Sequence, residues 1–198
     1  MPRLVINLLG SFQVELDDRP VTAFATEKAR ALLVYLAVES FQPHRREHLA
    51  ALLWPDQPEE RARHNLRQAL SSLRQAIGDS DGSSKPFLLV ERETLQFDLQ
   101  SDTTLDVAEF AALAEQVRHH RHDGPERCLP CVRRLQRMAM LYRGDFLADF
   151  SMSDSELYEE WVLLQREWAR RLASEAFATL ADYSERRGEL APSRDYAR

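Results

Sequence analysis

Arg61–Ile77 reads RARHNLRQALSSLRQAI. Ala62, Leu66, Leu70, Leu73 and Ile77 recur at steps of three and four, the spacing of one helix face. Arg61, His64, Gln68, Ser71 and Gln75 fall opposite, with Arg63, Arg67 and Arg74 along one flank and Asn65 and Ser72 along the other. The stretch has no acidic residue, in a chain of net charge −6. Its apolar stripe suits a core. Its polar side carries the residue types that meet base edges: Arg for guanine, Gln or Asn for adenine, Ser for either. A solvated amphipathic helix shows the same pattern, so the neighbouring segments must decide.

Upstream, Thr26–Glu39 (TEKARALLVYLAVE) predicts a helix with Thr26 as N-cap and Ala29, Leu32, Leu33, Leu36 and Ala37 inward. Gln42-Pro43 breaks it. Arg45–Trp54 (RREHLAALLW) predicts a shorter helix burying Leu49, Leu52 and Leu53, ended by Pro55 and Pro58. Further upstream, Leu4–Leu16 (LVINLLGSFQVEL) has strand formers on both sides of Gly10, then a turn at Asp17-Asp18 and a short third strand over Pro20–Phe24.

Downstream, Gly78 stands where a helix C′ glycine would, and Asp79–Pro86 reads as a loop. Phe87–Glu91 and Leu95–Leu99 flank Arg92-Glu93-Thr94, a hairpin pattern. A small sheet, three helices and a hairpin make a winged helix-turn-helix. Its third helix would enter the major groove, with the hairpin wing beside it.

Residues 101–198 differ in texture. Asp106–His120 predicts a helix with Val107, Phe110, Leu113, Ala114 and Val117 inward, and Cys131–Tyr142 a second. A long helix over Asp154–Arg187 would bury Leu157, Trp161, Leu164, Trp168, Leu172, Ala176, Leu180 and Tyr183. Leu190–Arg198 resembles the start of another helix cut at the terminus. Paired helices of this length suggest tetratricopeptide-like packing, although no clean 34-residue repeat is present. The fold class expected is mainly α with a small β component: a winged helix-turn-helix over 1–100, then an all-helical, tetratricopeptide-like domain over 101–198.

Composition bounds the function. The 198 residues are 44% hydrophobic, enough for a packed core. The longest uncharged run, Leu4–Val14, is too short to span a membrane, and no signal-peptide pattern follows Met1–Arg3. A cytoplasmic protein without membrane contact is expected. Neither half of the chain is net basic, so any DNA contact must be local. Enzymatic motifs are missing. Gly78 to Lys85 has the wrong spacing for a P-loop, and G-x-S-x-G, H-E-x-x-H and EF-hand patterns do not occur. The chain is read as a non-enzyme.

Five segments together resemble one family: GSFQVELDDRPV (10–21), EKARALLVYLAVE (27–39), RREHLAALLWPDQP (45–58), NLRQALSSLRQAIG (65–78) and LYRGDFLADF (141–150). They are similar, in this order, to the bacterial transcriptional activator domain family, best known from the antibiotic regulatory proteins (SARP). The resemblance implies a response-regulator-type winged helix and a helical activator domain. It implies a sequence-specific activator that binds direct repeats upstream of promoters, with double-stranded DNA, RNA polymerase and further copies of itself on the repeats as partners. Larger members continue into an ATPase and helical repeats. This chain departs from the family in a less basic winged-helix half. A second class stays open: a protein-interaction or scaffold module of a larger signalling ATPase, without tight DNA binding of its own.

By position in the motif, Arg63, His64, Arg67, Gln68 and Ser71 would face the major groove, while Arg61 and Arg74 would meet phosphates. Arg45 and Arg46, opening the second helix, could clamp the backbone, and Arg92 at the wing tip could enter the minor groove beside Glu91 and Glu93. Base readers and phosphate contacts are not distinguishable by residue type. In response-regulator winged helices the loop corresponding to Trp54–Glu60 touches RNA polymerase, which assigns that role to Asp56, Glu59 and Glu60, with Trp54 read as a core residue.

Cys128-x-x-Cys131 follows His119, His120 and His122 closely. Two thiolates at this spacing with two imidazoles could hold a tetrahedral structural zinc, the one cofactor the sequence suggests. Two ordinary cysteines beside solvated histidines are the alternative. A thioredoxin-like βαβ context is missing.

Overall fold

The structure, a computed structural model, describes residues 2–79, 86–121 and 123–188. Strands β1 (Leu4–Asn7), β2 (Gln13–Leu16) and β3 (Arg19–Pro20) form an antiparallel meander, with Ile6 opposite Val14 and Glu15 opposite Pro20. Asp17 and Asp18 both have positive φ, 50° and 60°. Two such residues between paired strands are what a type I′ turn requires, and Asp accepts that conformation more readily than most residues. The turn restarts pairing at Arg19, so the third strand covers Arg19–Pro20 rather than the expected Pro20–Phe24.

Helix α1 (Glu27–Val38) starts at Thr26, whose hydroxyl accepts from the Ala29 amide. Its buried residues include Ala31 and Val34 besides the five expected, because α1 is wrapped on several sides. A two-residue strand, β4 (His44–Arg45), precedes α2 (Arg46–Leu53). Helix α3 (Glu59–Ala76) follows, and every residue of its stripe, Ala62, Leu66, Leu70, Leu73 and Ile77, is buried. Strands β5 (Leu88–Val90) and β6 (Thr94–Phe97) form the expected hairpin, and β4 joins its far side in the order β4-β6-β5. The wing is thus anchored at the entrance to α2.

The first sheet takes its fourth strand from beyond residue 100. Strand β7 (Thr103–Leu105) pairs parallel to β1, with Ile6 opposite Leu105. The division expected after residue 100 therefore cuts through a sheet. A parallel strand beside β1 needs a long crossover, here the whole helix-and-wing unit.

Helices α4 (Asp106–His119), α5 (Leu129–Leu141) and α6 (Glu156–Arg186) make up the rest, with a short 3-10 turn at Pro125–Arg127. Among the described residues, the helical stretch expected after Asp106 is interrupted by a bridge from Leu9 to Phe146. Around it, Arg143 N donates to Leu9 O, Gly10 N to Asp145 O and Leu147 N to Leu8 O. Gly10 (φ 124°) and Gly144 (φ 155°) meet here, a Cβ on Gly144 lying 3.6 Å from Gly10 Cα. The GSF and RGDF segments are thus two sides of one backbone seam. Helix α6 keeps most of the expected stripe: Ala176 and Leu180 are buried, and Trp161, Trp168, Leu172 and Tyr183 pack against the core. The exceptions are Leu157 and Leu164, which are exposed, while the neighbouring Tyr158, Val162, Ala169 and Ala173 are buried. Three alanines let α6 approach its neighbours closely. The proposed helix at Leu190–Arg198 lies outside the described residues. Among the described residues no helix is long and apolar enough to cross a membrane.

Asp106, 2% exposed, closes the arrangement. Its carboxylate accepts from the amides of Leu8, Leu9 and Val107 at 2.8–2.9 Å and from Arg143 Nη2 at 2.7 Å. Asp106→Ala strands these donors and should cost on the order of 3–5 kcal/mol. Arg143→Ala, at a half-exposed partner, should cost about 1 kcal/mol. Urea midpoints of the two variants check the ranking; equal, small shifts would show that the carboxylate is not what holds the seam.

Candidate nucleic-acid interface

Helix α3 presents Arg61, His64, Arg67, Gln68, Ser71 and Gln75 to solvent. Periodicity alone places them there, since they are the side that the Leu66–Leu73 stripe leaves uncovered. Arg67 is the ridge between two grooves. One, of about 400 Å³, is walled by Arg46, Glu47, Arg63, Leu66, Arg67, Arg92 and Glu93. The other, of about 510 Å³, runs along Arg67, Leu70, Ser71, Arg74 and Gln75 to Gly78 and Asp79. Gln75 was not among the predicted contacts. Its i+4 spacing from Ser71 is the signal that finds it.

The arginines divide into two groups. Arg67 pairs with no carboxylate among the described residues, and Arg61 and Arg45 are exposed. Arg63 is different. Its Nη2 lies 2.5 Å from Glu47 Oε1 on α2 and 2.7 Å from Glu59 Oε1, so its charge is matched twice over. It ties α2 to α3 on the wall of the first groove.

Arg46 is also structural. Its Nε and Nη2 donate to Glu91 O at 3.1 and 2.8 Å, and its amide donates to Glu93 O. Burial lowers its guanidinium pKa, Glu93 opposes that, and nearby Arg67 lowers it further. Arg46, expected as a phosphate clamp, thus also ties the start of α2 to carbonyls of the wing tip. Arg92, at that tip, is 95% exposed, with Glu93 3.5 Å away. Arg74 is half-buried beside the second groove.

Asp56, Glu59 and Glu60 are exposed on the turn between α2 and α3 and at the start of α3, with Glu59 engaged by Arg63. Trp54 is partly buried against the core, with Lys28 Nζ 5.8 Å from its ring centroid.

The cysteine–histidine cluster is partly assembled. His120 Nδ1 lies 3.4 Å from Cys128 Sγ and 3.3 Å from Cys131 Sγ. His119 turns away to the Glu115 carbonyl and carboxylate of its own helix. His122 lies outside the described residues.

No family model matches the chain, and no curated protein sequence does. Among solved structures it is similar to EmbR of Mycobacterium tuberculosis, determined in complex with a low-affinity phosphopeptide. The TM-score is 0.69 at 23% identity, over 96% of this chain and 47% of that one. The chain thus spans about half the length of EmbR. The likeness shows the fold, a winged helix joined to a helical half.

If Arg46 supports the wing, Arg46→Ala should cost about 1.5–3 kcal/mol, the range for hydrogen bonds from a charged donor. Hydrogen exchange should accelerate over 91–97 while α1 stays protected. Unchanged exchange at the wing would show that the buttress is unnecessary.

Proposed function

We propose that this chain is a sequence-specific DNA-binding transcription regulator of the activator type, with α3 in the major groove and the β5–β6 wing along the adjacent backbone. The single observation that supports it best is the exposed ridge Arg61–His64–Arg67–Gln68–Ser71 between two grooves, on a fold of the regulator type. Arg67 and Gln68 combine reach with hydrogen-bonding forks suited to guanine and adenine edges. Arg45 and Arg61 supply phosphate contacts. Asp56 and Glu60, on the far end of the turn, form an acidic patch suited to RNA polymerase. Direct repeats would seat copies of the chain side by side.

One observation favours the interaction-module reading. The carboxylates of Glu47 and Glu59 cancel Arg63, which reduces the positive ridge. On the DNA-binding reading this implies a small number of phosphate contacts, hence a shallow dependence on salt and modest affinity.

A mobility-shift panel of operator variants, selected from genomic fragments, separates the two. Arg67→Ala should lose roughly 1–3 kcal/mol and relax preference at one base pair, and Gln68→Ala should do the same at an adenine. Arg45→Ala should weaken all sequences equally, and Arg63→Ala should act on stability more than on specificity. Wild-type binding by both Arg67→Ala and Gln68→Ala, with unchanged circular dichroism, would give the lead to the interaction module.

A further inference from the structure

Three metal-binding donors converge at one corner of the helical half: His120 Nδ1, Cys128 Sγ and Cys131 Sγ, all within 4.8 Å of one another. His120 is the residue just past α4, Cys128 is the N-cap of α5, and Cys131 lies in the first turn of α5. The trio therefore spans a helix-to-helix connection. The nitrogen–sulfur separations are 3.3 and 3.4 Å. A tetrahedral zinc with Zn–S of about 2.3 Å and Zn–N of about 2.0 Å needs such pairs about 3.5 Å apart. The donors stand within a few tenths of an ångström of that spacing.

We infer that His120, Cys128 and Cys131 form a zinc site that clamps the C-terminal end of α4 to the start of α5. The donor set is selective. Two thiolates and an imidazole suit zinc and disfavour calcium or magnesium, which take oxygen ligands. An iron–sulfur cluster held by four cysteines does not match this corner, where two thiols and an imidazole converge. Cys131 is fully buried and His120 exposed, so the cluster lies at the surface and a water can complete the fourth position.

The surroundings act on the thiols in both directions. The start of a helix stabilises negative charge at its cap and first turn, and the Arg134 guanidinium beside Cys131 acts in the same direction. Against this, burial and neighbouring Cys128 hold the Cys131 thiol above its ordinary value. Both cysteines are free thiols in the structure. Loading replaces two thiol protons with one zinc ion: two Zn–S bonds form, two S–H bonds break, and two protons leave to buffer. The two thiolate charges balance the ion. Binding should therefore tighten as pH rises.

The test uses the reduced 198-residue chain and two probes, Zn²⁺ and Co²⁺, each alone. Gel-filtered protein should retain about one equivalent of zinc, and a chelator should lower its thermal midpoint. Cobalt should give the intense visible bands of a tetrahedral site with thiolate-to-metal charge transfer. Cys128→Ser/Cys131→Ser should abolish retention and charge transfer. His120→Ala should weaken binding at least about 10–100-fold, the loss typical of even an outer-shell change. His119→Ala should bind as wild type does. Failure of the wild-type chain to give charge transfer with cobalt, or equal zinc retention by the double variant, overturns the site. The cobalt spectrum of wild type decides the matter even if the double variant fails to fold.

Discussion

The structure depends on the Asp106 carboxylate. Four N–H donors from three separate places converge on it: the end of β1, the first turn of α4 and the Arg143 side chain. Burial raises its pKa, and the Leu9 and Leu8 amides, Arg143 and the Val107 amide only partly offset that. The ion is thus held at a desolvation cost, the usual situation for a buried charge. Its value lies in the alternative. Without an acceptor there, buried amides at Leu8 and Leu9 would lie in an apolar core with no partner, which costs more than a missing surface contact. This single group makes the sheet, the start of the helical half and the 143–147 seam one unit.

What the sequence revealed follows from which interactions are local. The α3 stripe was legible because Leu66, Leu70 and Leu73 repeat every turn, and the cap at Thr26 because its partner is three residues on. Strands β4 and β7 were not. Two or three residues have no period, and their partners lie far along the chain, His44 with Leu95 and Ile6 with Leu105. The exposure of Leu157 and Leu164 on α6 was hidden for another reason. Large apolar residues such as Leu157 and Leu164 dominate a hydrophobicity pattern, whereas close approach selects the small Ala169 and Ala173.

The candidate site shows the same division. That α3 has a polar face was readable; which arginines remain available on it was not. Arg63 meets Glu47, 16 residues upstream on another helix, and Arg46 meets a carbonyl 45 residues downstream. Neither pairing has a sequence signature. Cysteine spacing pointed to the metal cluster, but choosing among the histidines needed the helix end. His119 still lies in α4 and bonds back to Glu115, while His120 is past it and faces the sulfurs.

The helical half also completes the winged helix chemically. The C-terminal carbonyls of a helix need donors from outside it. For α2 these come from beside α6 and from α1. Ser155 Oγ donates to Leu52 O while capping α6 at the Tyr158 amide, and Lys28, paired with Asp154, donates to Leu53 O. Nearby, Trp161 Nε1 donates to Glu39 Oε1 and its ring packs at a tilt of 58° against that of Tyr35, centroids 5.1 Å apart; the Tyr35 hydroxyl shares a hydrogen bond with His48 on α2. Helix α2 in turn holds α3 through Glu47–Arg63 and the wing through Arg46. The Leu52 carbonyl thus depends on the start of α6 for its donor, and α2 is the helix that both candidate DNA-facing elements rest on. The helical half and the helix that presents Arg67 are therefore joined through contacts that share the α2 backbone.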